Sequence, residues 1–82
     1  MAVTEKIKSI MAMKGKKNIE LAKYLNIGTQ SLSNKFNRGS FSAEDLIKIS
    51  DFLGVTLNFE IDEKQKIVLD MNDIREQKKS EP

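Results

Sequence analysis

The chain is 82 residues long with a net charge of +2, which allows one domain with one modest core, near the size at which a chain often borrows stability from a partner. It contains no Cys and no His, which excludes disulfides, thiolate or imidazole metal sites, cysteine nucleophiles and the side chain best suited to proton transfer near neutrality. Carboxylates and hydroxyls remain without a base to activate them, so no catalytic site, metal or cofactor is expected; no apolar run reaches membrane-spanning length and no charged-then-apolar leader is read, so a cytoplasmic, non-enzymatic protein is expected.

In chain order, Thr4 is placed to cap a first helix running to about Met13, with Ile7, Ile10 and Met11 on its inner face beside Val3, and Lys14-Gly15 ending it. Lys16, Lys17 and Asn18 form a short basic link into a second helix, where Leu21, Ala22 and Leu25 recur at helical spacing and Ala22 is small enough for another helix to cross closely. Asn26 stands where the chain must leave that helix with positive φ, which Gly tolerates best and Asn next best, and Ile27 turns back to the core. Gly28 or Thr29 then caps a third helix with apolar Leu32 and Phe36 four apart on one face, while Thr29, Gln30, Ser33 and Asn34 point elsewhere. Asn37-Arg38-Gly39-Ser40 reads as a loop. Ser42 followed by Asp45 three positions on reads as a cap, with Phe41 as a staple, and opens a fourth helix with Leu46, Ile49, Phe52 and Leu53 for burial, stopped by Gly54.

The segment from Glu20 to Phe36, two short helices joined by a hinge of three residues, resembles the helix-turn-helix of the Cro and phage-repressor type, also called the XRE family. Ala22, Asn26, Ile27 and Leu32 fall on four of the family's spaced positions, and the likeness covers roughly residues 4–55. Three departures stand out. Asn26 replaces the usual turn Gly, Gly28 stands where many members carry a capping Ser or Thr, and Lys35 occupies a position often apolar, with Phe36 taking over the core role. The fold expected is mainly α: a four-helix repressor-like DNA-binding domain over residues 1–54, a C-terminal β-hairpin over 55–71 and a short charged tail over 72–82.

Beyond Gly54 the apolar period changes from helical to alternating. Val55, Leu57, Phe59 and Ile61 alternate with polar residues, and after Glu63-Lys64-Gln65 the pattern resumes from Lys66 to Met71. Pairing Ile61 with Ile67, Phe59 with Leu69 and Leu57 with Met71 places six apolar side chains on one face and leaves a three-residue loop, for which Gln65 is a poor positive-φ residue. A lone two-stranded ribbon is marginal in water, so that face needs a cover. Either the hairpin folds back to complete the monomer's core, or these six residues form a homodimer interface. Many members of the resembling family use a fifth helix in this region. The tail after Met71 has Ile74 as its large apolar residue and reads as a short helix or as disordered.

Charge is divided along the chain. Residues 1–41 carry eight basic and two acidic side chains, a net +6, whereas residues 42–82 carry six basic and ten acidic, a net −4. A polyanion meets the first half. By resemblance to the family, the first two residues of the third helix and one a turn later read bases, which points to Thr29, Gln30 and Asn34 with Ser33 as a fourth; amide side chains suit adenine in the major groove. Taken alone, the same residues would be the solvated face of an amphipathic helix. Phosphates fall to Asn18, at the start of the second helix where the family usually has a Gln, and to Lys17, Lys35, Asn37 and Arg38 around the groove. The expected partners are a double-stranded DNA operator and a second copy of the chain, with no membrane and no small-molecule effector indicated. The function read from this is a sequence-specific transcriptional regulator, a dimeric repressor reading the major groove. The alternative is a protein-binding module, such as an antitoxin-like partner, acting through the hairpin.

Overall fold

The computed structural model describes residues 3–74. Four helices, α1 (Val3–Lys14), α2 (Asn18–Leu25), α3 (Thr29–Arg38) and α4 (Ala43–Leu53), precede an antiparallel hairpin of β1 (Leu57–Asp62) and β2 (Gln65–Leu69) and a 3-10 turn at Met71–Asp73. The mainly helical class and the trailing ribbon are as the apolar periodicities require. The chain divides into two compact units, one ending at Ser42 and the other beginning at Ala43.

In the first unit, Ile7 and Met11 of α1, Leu21 and Ala22 of α2, and Leu32 and Phe36 of α3 are buried, with Leu21 and Leu32 sealed almost completely at 0% and 1% exposure. Ala22 is buried where the short side chain lets α2 and α3 approach, as the sequence indicated. Ile10, Leu25 and Ile27 are half-buried and Val3 is exposed. Thr4 is not the cap of α1. It already lies inside the helix, and its hydroxyl donates to the carbonyl oxygen of Phe36 at 2.8 Å, a bond spanning 32 positions of sequence.

All four helices stop in the same way. At Gly15, Asn26, Gly39 and Gly54 φ lies between 60° and 69°, and the amide of the following residue reaches back five positions: Lys16 to the Met11 carbonyl, Ile27 to Ala22, Ser40 to Lys35 and Val55 to Ser50, at 2.9 to 3.2 Å. These bonds satisfy carbonyls that a helix end otherwise leaves open. Asn26, the one non-glycine among the described residues with positive φ, occupies the turn position expected for it. The same motif corrects the loop read at Asn37-Arg38: both residues complete the last turn of α3, and the chain leaves the helix only at Gly39.

In the second unit, α4 packs against β1 and the 3-10 turn. Ile49 and Leu53 are buried as expected, but so is Ile47, while Leu46 and Phe52 are half-buried. Ile47 lies on nearly the opposite side of α4 from Ile49, at 100° per residue, and shares a shallow depression with Val55, Val68, Leu69 and Met71 at the base of the hairpin. Reading a single stripe from the sequence misses it because the helix buries two sides.

The hairpin register differs from the expected one by two residues. Leu57 pairs with Leu69 and Phe59 with Ile67, and the ladder shifts between Glu60 and Asp62, where Asp62 meets Gln65. The cause is local. Asp62 Oδ1 accepts the backbone N–H of Lys64 at 2.8 Å, a side-chain-to-backbone turn that shortens the loop to Glu63-Lys64, and an irregularity at Ile61 absorbs the remaining offset. An even shift keeps the parity, so Leu57, Phe59, Ile67 and Leu69 still share a face. Met71 falls outside the ladder and opens the 3-10 turn. There Asp70 Oδ1 accepts from the Asn72 amide at 2.9 Å and Asp73 Oδ2 from the Asp70 amide at 2.8 Å, so the tail's first residues form an ordered turn, while its remainder from residue 75 lies outside the described residues.

Asn26→Val is expected to cost about 1–2 kcal/mol, the penalty of forcing a branched side chain into a left-handed conformation, whereas Asn26→Gly should stay within about 0.5 kcal/mol of the parent. Urea midpoints at unchanged slope measure both.

Candidate nucleic-acid interface

The third helix is built as a rod with a buried back. Gly28 precedes it with extended backbone, φ −74° and ψ 158°, and its carbonyl accepts from the Leu32 amide at 3.1 Å; no side-chain hydroxyl or carboxylate caps the start. Leu32 and Phe36 face the core. Phe36 takes the core role, and Lys35 is half-buried beside it. The Phe36 ring meets Phe41, with centroids 5.9 Å apart and planes at 55°, and lies under the ammonium of Lys8 at 5.2 Å. The Phe41 ring, read from sequence as a staple for the fourth helix, thus contacts the third.

With the back of α3 held inside, Thr29, Gln30, Ser33 and Asn34 are all exposed. Gln30 Nε2 donates to Asn34 Oδ1 at 3.3 Å across one helical turn. This long, exposed bond aligns the two amides on one side of the rod and leaves each with further donor and acceptor capacity, since an amide offers two N–H donors and a two-lone-pair oxygen.

The residues read as phosphate ligands separate into two places. Lys35 and Arg38 line a shallow depression on one flank of α3 with Ser31, Asn34 and Ser40. Lys17 and Asn18 line another, at the start of α2, with Lys8, Met11, Ala12 and Lys16. Asn37 is exposed but lines neither of these two depressions. Ser31 and Ser40 in the first and Lys8 and Lys16 in the second are not among the phosphate ligands expected from the sequence. Ser31, Asn34, Lys35 and Arg38 follow the spacing i, i+3, i+4, i+7, which would have found the first group. Lys17 precedes α2 in extended conformation and its N–H donates to Glu20 Oε1 at 2.8 Å. One backbone donor expected at this helix start is therefore taken by a carboxylate, and Asn18 and Ile19 lead the remaining first-turn amides.

Two helices crossing at a small residue, a three-residue turn entered through a left-handed Asn, and an outward polar face on the second helix define a helix-turn-helix DNA-binding domain. The chain belongs to the family of the bacteriophage CI repressor helix-turn-helix domain, whose family model matches residues 2–59. The match spans the four helices and the start of β1 and bears out the resemblance to phage repressors. Comparison with curated proteins and with solved structures gives no match. The family is one of DNA-binding repressor domains rather than of enzymes, and no described helix is long and apolar enough to cross a membrane.

Because Gln30 and Asn34 stand exposed, Gln30→Ala and Asn34→Ala should each change stability by no more than about 0.5 kcal/mol, while Leu32→Ala should cost about 2–5 kcal/mol. Chemical denaturation followed by circular dichroism compares the three.

Proposed function

We propose that this DNA-binding regulator is a sequence-specific, dimeric repressor that reads the major groove with α3. The observation that carries the reading is the division of α3 itself: Leu32 and Phe36 are buried, and Gln30 and Asn34 stand exposed together on the side away from them. Thr29, Gln30, Ser33 and Asn34 are assigned to base edges, the amides matching adenine's donor and acceptor pair. Lys17, Asn18, Lys35, Asn37 and Arg38 are assigned to phosphates, fixing register without reading sequence. The basic excess of the first unit, eight basic against two acidic residues, supports this assignment.

The second copy is assigned to the hairpin. Phe59, Ile61 and Ile67 are 64%, 56% and 56% exposed, whereas at the base Leu57 and Leu69 are half-buried and Met71, past the ladder, is exposed. Folding back onto the monomer's core therefore accounts for the base of the ribbon and not for its tip. A dimer reading a near-palindromic site needs its two recognition helices about one DNA turn, roughly 34 Å, apart. The bare tip also supports a second reading, in which the hairpin docks on another protein.

Selection of duplexes from a random pool at defined salt tests the function. A short symmetric consensus supports the repressor; failure to enrich any sequence removes it. Binding should weaken with salt at a log-log slope of about −0.9 per phosphate neutralised. Asn34→Ala should relax preference at one base pair per half-site, and Arg38→Ala should weaken all duplexes alike. Phe59→Asp should give monomers with intact helical circular dichroism by light scattering; a variant that stays dimeric would move the interface elsewhere.

A further inference from the structure

We propose that Thr4, on the first helix, is a positioning residue for DNA reading: its hydroxyl bond to the Phe36 carbonyl fixes where the last turn of α3 lies. The inference rests on α3 being the reading helix. Packing of Leu32 and Phe36 holds the side chains of that helix, but a ring in a core can shift its rotamer while the main chain behind it moves. A hydrogen bond to the carbonyl restrains the main chain itself. The Thr4 bond, at 2.8 Å, is the shorter of two reaching that oxygen; the Gly39 amide lies at 3.3 Å.

The same face of α1 grips Phe36 a second time. Lys8 is one turn on from Thr4, and its ammonium stands 5.2 Å from the centre of the Phe36 ring. One residue of α3 is thus held by its carbonyl and by its ring from a single helix, two positions after Asn34 and two before Arg38. Base recognition by amide pairs depends on hydrogen-bond distances with a tolerance of a few tenths of an ångström, so a displacement of this turn changes discrimination before it changes general affinity. Thr4 lies in the first turn of α1, where a hydroxyl commonly serves its own helix start, and here it bonds across the unit instead.

The test compares Thr4→Val, which keeps the shape and removes the donor, with Thr4→Ser, which keeps the donor. Each binds a duplex selected by the wild-type protein and a random duplex of equal length at one salt concentration, below the melting temperature of both variants. In Thr4→Val the ratio of the two affinities should fall about fivefold, the effect of one neutral hydrogen bond, with random-duplex affinity unchanged, and Thr4→Ser should restore the ratio. Thr4→Ala carries the same expectation if the valine variant melts too low. An unchanged ratio, an equal loss on both duplexes, or a serine variant no better than valine overturns the proposal while leaving the repressor function standing. If the wild-type protein prefers no duplex, the DNA-reading function fails first and the positioning role with it.

Discussion

Phe36 is the joint on which the first unit depends. Its ring is buried against Phe41 and under Lys8, its carbonyl is held by Thr4, and it lies in the last turn of α3 just before the left-handed exit at Gly39. With Leu32 one turn earlier, it orients the rod, because a helix that buries positions 32 and 36 must turn positions 30, 33 and 34 outward. The exposed amides are therefore a consequence of the core and do not have to be held in place by contacts of their own. This is the physical link between an apolar stripe in the sequence and a polar surface in the fold.

Much of this was legible because it rests on local rules. Helical spacing located Leu21, Ala22, Leu32 and Phe36, the need for positive φ marked Asn26, and Gly54 was legible as a helix stop. What the sequence concealed depends on contacts between segments or on atoms that carry two possible roles. Thr4 looks like a cap because hydroxyls favour helix starts, and only the proximity of Phe36, far along the chain, redirects it. Ile47 sits outside the apolar stripe of α4 and becomes core through the base of the hairpin. The register was missed by two residues because the alternation of apolar side chains repeats every two, so it fixes the face and not the offset; the Asp62 side chain decides the offset. In the candidate interface, the exposure of Thr29, Gln30, Ser33 and Asn34 is legible as a helix face. The grouping of Lys8 with the basic link Lys16-Lys17-Asn18 is not, since it joins a residue inside one helix to the start of the next.

The two units differ in character as well as in fold. The first collects positive charge around helices whose inner faces are buried, and it also exposes Met13, Ile19 and Tyr24. Among the described residues the second carries eight acidic and three basic side chains and leaves the apolar tip of its hairpin in water. Exposed Phe59, Ile61 and Ile67 on a ribbon of two strands have a solvation cost that a contact can relieve, and both outer edges of the ribbon have unpaired backbone groups that a further strand can meet. These properties are those of a surface for association, whichever partner takes it, and they are separate from the chemistry that suits a phosphate backbone.

The repeated helix ending has a consequence for change over time. Since each helix is terminated by a backbone motif at one residue, and α3 is oriented from behind, the outward positions of α3 contribute little to folding. Mutation can rewrite them without disturbing the scaffold. On the proposed reading by α3, a lineage built on this frame can drift from one target to another by altering a few solvent-facing side chains, while substitutions at Asn26, Gly39 or Phe36 damage the scaffold whatever the target.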